Sequence, residues 1–561
     1  MTVQRPPEQV MRLNRLGASH QTRLSFMRTL LRKLKQENWQ FDRPDWDIDD
    51  NGVGHAVYRA IGPRRTYSLI AYAHDLPAHL RSDRVIAEAW DATFTLYDGT
   101  PSAADIKRLE SQVPLQEAGR ISDTELSLSR ANRSVRLWEH VVDCLSRGVQ
   151  PDRAQLADVG YLMRTTAVYG SGKFGAKDHA AMHDRTVMSG PFRAEMLSVW
   201  LTRAFVADLV EHMARVRGGS DATVLSKENR ELLGIGNSTG LGMAPFLVNH
   251  PALLHQWIDA REEAIARVRR VKRATAQEIE HFKSCFQRAE AMLSNWNSDH
   301  PIMIGQMQDL NGDCKKIGAR IAGHFSPDND FPWDDLVKWS EEALTFEGQE
   351  FLAALICEPY GHLVDELADR MHCDESRVFP IDGSWSMDKL RDALRQNFGW
   401  ALERNYAERE NCGRFWYVSE AKLEPRLGER FDEPGGELEQ PLDIARRAAA
   451  LWKATAGMSG DVADLLDTHP EFRRMVRRVQ IAASRPYSEI QDNLISAGIR
   501  PIDMLRCKLS FFGATRFDPR SDRWLRITMF QNAPYPHGLA SAPEDEWVLP
   551  PHSTQGSGVS Q

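Results

Sequence analysis

The spacing of apolar side chains changes along the chain, and the changes divide it. Within the first 122 residues, short runs alternate between apolar and polar positions with a period near two. His55-Ala-Val-Tyr-Arg-Ala-Ile61 and Tyr67-Ser-Leu-Ile-Ala-Tyr72 predict strands over residues 54–61 and 66–73, turned by Gly62-Pro-Arg-Arg65. A further strand is predicted over 92–97. A helix over 19–37 precedes them, with Leu24, Met27, Leu30 and Leu31 at helical spacing. Its remaining faces carry Arg23, Arg28, Arg32, Lys33 and Lys35, and are expected to be solvated or to face another subunit.

From about residue 123 the period lengthens to 3.6. Helices are predicted over 132–147, 151–163, 191–217, 246–273, 275–296, 334–343 and 347–371. The span 191–217 carries the strongest signal, because Phe192, Met196, Val199, Trp200, Phe205, Val206 and Leu209 form an apolar stripe between Pro191 and Gly218-Gly219. Five cations from Arg267 to Arg273 near the end of another helix read as a solvated face.

Beyond residue 387 the pattern is mixed. Helices are predicted over 387–401, 443–456 and 471–484, and strands over 413–419, 504–512 and 524–530. Residues 515–522 read as an exposed connection. The fold class implied is α+β, a predominantly helical central region with β-containing N-terminal and C-terminal portions. The segments are 1–122 (small, mixed), 123–386 (mainly helical), 387–540 (mixed) and 541–561 (a flexible tail). The two β-containing portions join in one sheet or stand as separate lobes. A doubly wound sheet is not expected, since strands and helices do not alternate regularly.

Composition narrows the function. The 561 residues carry a net charge of −8, which disfavours a generally basic nucleic-acid surface. Seven cysteines without a C-x-x-C pair point away from a disulfide framework and toward a reducing compartment. No apolar run approaches ~18 residues, and the first residues lack a secretory segment. A cytoplasmic protein with no membrane and no nucleic-acid partner is expected.

Candidate chemistry gathers at two glycine-rich stretches, Tyr169-Gly-Ser-Gly-Lys-Phe-Gly175 and Gly234-Ile-Gly-Asn-Ser-Thr-Gly-Leu-Gly242. Glycine at this density permits backbone turns and close ligand approach. Neither completes a nucleotide motif: Ala167 and Phe174 break a P-loop, and Thr239 stands where a dinucleotide fingerprint needs glycine. Gly236-Asn-Ser-Thr-Gly240 matches G-x-S-x-G, which would make Ser238 a nucleophile with Asp365 or Asp382 and His537 as partners.

The favoured site instead joins both stretches around an anion. Arg164, with Thr165, Thr166, Tyr169 and Ser171, would hold a carboxylate or phosphate from one side. Asn237, Ser238, Thr239 and Asn249 would hold it from the other. Lys173 and the pair His179 and His183, four residues apart and followed by Asp184, are the candidate catalytic groups. Glu195 is a further candidate base, although a solvated helix explains it as simply. Tyr161, Trp200 and His250 are candidate pocket walls, with Trp200 better read as core. Cys357 reads as a buried structural thiol.

The function expected is proton abstraction with elimination or isomerisation on a small acidic metabolite, a lyase or isomerase. Alternatives are a serine hydrolase, a nonclassical cofactor enzyme, or a metabolite-sensing or scaffold protein. No cofactor is secure, no metal is assigned, and further copies of the chain in a homo-oligomer are the expected protein partner.

Overall fold

A computed structural model of the chain describes residues 4–18, 20–75, 90–112, 124–165, 188, 190–239, 250–294, 296, 298–325, 329–372, 379–407, 444–491, 501–521, 524–543 and 546–549. The strands are β1 (Gln40–Ile48), β2 (Gly54–Ile61), β3 (Thr66–Ala73), β4 (Ala92–Asp98), β5 (Glu125–Arg133), β6 (Tyr161–Thr165), β7 (Gly234–Thr239), β8 (Arg516–Ser521) and β9 (Trp524–Met529). The helices that frame them are α1 (Phe26–Gln36), α2 (Ala103–Gln112), α3 (Arg153–Val159), α4 (Arg193–Gly218) and α5 (Pro251–Arg269). The fold is the expected α+β mixture, and the two β-containing portions do join. All nine strands form one sheet in the order β1-β2-β3-β4-β5-β6-β7-β9-β8.

The first six strands run antiparallel in chain order, each joined to the next. Their first turn depends on glycine. Gly54 has φ 138°, and a Cβ there would stand 1.9 Å from the Asp47 carbonyl oxygen. At β6 the pattern changes. β6 pairs parallel with β7, a connection that requires a crossover, and α4 supplies it. β9 then pairs antiparallel with β7 and carries β8 at the edge.

α4 is the core of the curled sheet. Every residue from Arg193 to Ala207 is buried, as expected of a helix enclosed on all sides rather than lying on a surface. The indole of Trp200 donates to the Pro534 carbonyl at 2.9 Å, confirming its core role. The Arg203 guanidinium donates to the carbonyls of Leu233 and Ala533, both at 2.6 Å, which ties the helix to the foot of β7 and to the chain leaving β9. Gly218 ends the helix where a Cβ would meet the Ser146 carbonyl oxygen at 2.0 Å.

Several expectations are corrected. Residues 161–163, read as the end of a helix, belong to β6, because Gly160 takes a left-handed conformation (φ 76°) and caps α3 first. Residues 125–133, read as the approach to a helix, form β5. The span 504–512, read as a strand, is helical at Pro501–Leu505 and again at Lys508–Phe512. Its β-favouring aromatic side chains are claimed by tertiary packing: Phe511 and Phe512 join Phe26, Phe192 and Trp257 in one buried cluster. The exposed connection expected over 515–522 is largely β8.

The arginines of α1 and of the turn before it are not solvated, although Lys33 and Lys35 are half-exposed. Arg28 is fully buried, with both guanidinium arms on Glu358 at 2.7 Å, and Arg23 grips Asp365 at 2.8 and 2.9 Å. A second buried network joins Arg5, Arg15 and Arg261 to Glu350, with Glu262 also on Arg5. Burial alone would raise the Glu350 carboxyl, but Arg5, Arg261 and Arg15 hold it down to about 2. The cations at the end of α5 divide: Arg267 meets the exposed Glu366, as a solvated face would, whereas Arg269 pairs with the buried Asp334. Among the described residues, no helix is long and apolar enough to cross a membrane.

Candidate functional site

β6 and β7 are parallel neighbours in register, Thr165 beside Asn237. The first glycine-rich stretch follows β6 in the chain, and the second begins within β7. The chain leaving β6 toward the first stretch and the chain leaving β7 within the second therefore start from one edge of the sheet, the carboxyl end of two parallel strands, where open α/β sheets commonly take ligands. This β6–α4–β7 unit is the strand–helix–strand context that the sequence pattern did not reveal.

Side chains on these strands divide between two faces. Phe94 packs edge-on against Phe205 of α4 with ring centroids 5.6 Å apart, so its face of β4 looks at the helix. Ser129 stands opposite Phe94, Ala131 opposite Thr165, and Thr165 opposite Asn237. Alternation with period two then puts Ser129, Thr165 and Asn237 on the helix-covered face. Arg164 belongs to the other face. A Cβ on Gly236 would come within 2.8 Å of both Arg164 Cγ and Tyr161 Cγ, so glycine there makes room for those two side chains.

α4 presents a polar stripe in its enclosed half. Glu195, Ser198 and Thr202 follow one another at three and four residues, which places them on one side of the helix, and all three are buried. Phe205, seven residues after Ser198, reaches β4, and Arg203 on the neighbouring side reaches the foot of β7. The stripe lies between those two directions and so faces the β5–β6–β7 part of the sheet.

Most of these polar groups are unsatisfied. Among the described residues, Ser198 Oγ, Thr202 Oγ1, Ser129 Oγ and Asn237 Oδ1 have no hydrogen-bond partner, while Asn237 Nδ2 donates to the Thr165 carbonyl at 2.8 Å. No described side chain hydrogen-bonds or pairs with the Glu195 carboxyl. Burial pushes it up to about 7, against a smaller opposing pull from its own backbone N–H. Buried hydroxyls and carboxyls are normally satisfied, because each orphan costs about 1–3 kcal/mol. Several together, beside an ionisable group balanced near neutral pH, make this stripe the candidate functional site.

The sequence-derived candidates are dispersed. Thr165 and Asn237 lie with Ser129 on the sheet face that α4 covers. Arg164 is buried but turned to the opposite face. Thr166, Tyr169, Ser171, Lys173, His179, His183, Asp184 and Asn249 lie outside the described residues. The backbones of Ser238 and Thr239 sit in the β7 ladder opposite Arg526 and Leu525, whereas a nucleophile elbow needs a strand-to-helix turn. Its proposed partners are scattered: Asp365 is held by Arg23, and Asp382 and His537 are exposed. His250 is buried before the first turn of α5, and Tyr161 is buried on the Arg164 face. Cys357 is enclosed, and burial pushes its thiol up to about 12.

Ser129, Ser198 and Thr202 were not anticipated. Their signal was present in the helix, as a polar i, i+3, i+7 line inside an otherwise apolar segment, but it reads as a solvent-facing stripe until α4 is known to be enclosed. Comparison with protein-family profiles, with curated proteins and with solved structures finds no match for the chain, so the site stands on its own geometry.

Proposed function

We propose that the chain is an enzyme that moves a proton on a small carboxylate- or phosphate-bearing metabolite, with Glu195 as the acid–base group. The observation that carries this reading is the buried Glu195 carboxyl, with no cation paired to it among the described residues, on one stripe with the unsatisfied hydroxyls of Ser198 and Thr202. A carboxyl with an acid constant near 7 is part ionised at neutral pH, so it can both take and return a proton. The ionised form accepts a C–H proton next to the substrate's carbonyl or carboxyl group, and the electron pair stays on the substrate as an enolate. Return of the proton to a neighbouring atom gives isomerisation; departure of a β-substituent gives elimination.

Ser129, Ser198, Thr202 and Asn237 offer hydroxyl and amide groups to the substrate's oxygens. Satisfying groups that are orphaned in the free protein adds binding free energy without removing an existing bond. Positive charge for the oxyanion falls, on this reading, to Lys173 and the backbone N–H groups of the glycine-rich stretches. His179, His183 and Asp184, in the same segment, remain candidates for relaying the proton to solvent.

The test uses proton exchange, which does not require the product to be known. The protein is incubated in D2O with mixtures of hydroxy acids, keto acids and sugar phosphates, and C–H signals are followed by NMR. The wild type is expected to exchange or convert at least one member. E195Q should bind that compound yet act on it at least ~100-fold more slowly. No exchange or conversion by the wild type, or equal rates in E195Q, would overturn the proposal.

A further inference from the structure

On the face of the sheet opposite Glu195, a cleft of about 230 Å³ opens beside β6 and the β8–β9 hairpin. Three arginines from separate parts of the chain line it: Arg136 after β5, Arg516 at the start of β8 and Arg526 in β9. Arg516 is held in place, donating to the Ala157 carbonyl of α3 and pairing with Asp158 at 3.5 Å. Tyr161 and Thr528 supply further wall, and Asp158 and Asp299 stand exposed at its lining.

We propose that this cleft binds a small hydroxylated phosphate ester, such as a sugar or polyol phosphate. The three guanidinium groups outnumber the two carboxylates, so the lining as a whole favours an anion. Arginine forks match the oxygens of a tetrahedral phosphate, and several can share one dianion. Asp158 and Asp299 make a bare polyanion a poor occupant, because its charge would meet theirs. They suit hydroxyl groups instead, which donate to carboxylate oxygens, and the cleft has the volume of a compact metabolite rather than a nucleotide chain. The site is independent of the proton-transfer proposal, since it occupies the other face and uses none of its residues.

The test is calorimetric titration of the full chain with glucose 6-phosphate, glycerol 3-phosphate, inorganic phosphate and glucose. At least one ester is expected to bind in the micromolar to millimolar range, more tightly than inorganic phosphate, with no binding of glucose. R136Q and R526Q should each weaken the ester about tenfold or more, as loss of a charge-assisted contact implies. E195Q should bind it like the wild type. Arg136 is exposed, so R136Q keeps the test valid even if R526Q disturbs the fold. Absence of ester binding, binding unchanged in R136Q, or inorganic phosphate binding as tightly as both esters would overturn the assignment.

Discussion

Replacing Glu195 by glutamine should change how the protein's stability depends on pH. The carboxyl has an ordinary value of 4.5 and is pushed by burial to about 7 in the folded chain. Between those values the folded state keeps a proton that the unfolded state has released. The site's contribution is therefore fully present below 4.5, declines as pH rises toward 7, and is lost above it. At about 1.4 kcal/mol per unit, the loss amounts to about 3 kcal/mol. Glutamine resembles the protonated acid in shape and cannot ionise, so E195Q escapes the decline. Urea unfolding of both proteins at intervals from pH 4.5 to 8 measures the difference, in which the pH responses of all other groups cancel. The variant should gain about 3 kcal/mol on the wild type across that range. Parallel curves with a constant offset would show that Glu195 does not hold its proton near neutrality.

Other consequences follow from the same geometry. T202V, which removes an unsatisfied buried hydroxyl while keeping shape, should leave stability unchanged or raise it by up to about 1 kcal/mol. If the hydroxyl serves a ligand, T202V should also lose proton exchange in the D2O assay; a destabilised variant with full exchange would contradict both. R203M strips the carbonyls of Leu233 and Ala533 of their donor and should cost roughly 2–4 kcal/mol in urea unfolding. E350Q leaves Arg5, Arg15 and Arg261 without their shared carboxylate and should cost about 3–5 kcal/mol at neutral pH. Because the folded Glu350 is held at about 2, its contribution is present above 4.5 and vanishes as pH falls through 2, so E350Q should converge on the wild type in acid. G236A forces a Cβ against Arg164 and Tyr161 and should lower stability by about 1–3 kcal/mol.

The parts of the fold legible in the sequence were those with a strong local period and a marked end. β2 and β3 alternate imperfectly but are rich in β-favouring residues and bounded by turn residues, β4 alternates more regularly, and α4 is framed by Pro191 and Gly218. β6 was hidden because it is five residues long and follows α3 after a single glycine. β5 was hidden despite the regular alternation of Glu-Leu-Ser-Leu-Ser, because the helical pattern beginning near residue 132 dominated its neighbourhood. Missing both concealed the β6–α4–β7 crossover, which no local pattern encodes, since it is a statement about which strands become neighbours. For the candidate site, Asn237 and Thr165 were singled out by their position in or beside glycine-rich stretches, whereas Ser198 and Thr202 became visible only once α4 proved enclosed. Glu195 shows the same dependence: on a surface helix it would be solvated, and burial alone makes it chemically distinctive. The arginines of α1 were misjudged for a related reason. Their acidic partners, Glu358 and Asp365, lie more than three hundred residues away in sequence.

The central claim is that the edge formed by the ends of β6 and β7 holds an acidic metabolite within reach of residue 195. An experimental map of E195Q, prepared with whichever carboxylate or phosphate ester the wild type exchanges in D2O, tests it directly. The account predicts ligand density between the segments that follow Thr165 and Thr239, within hydrogen-bond reach of the residue 195 side chain and of Ser198 or Thr202. Density elsewhere on the molecule, with those two segments lying apart and the stripe on α4 untouched, would contradict it.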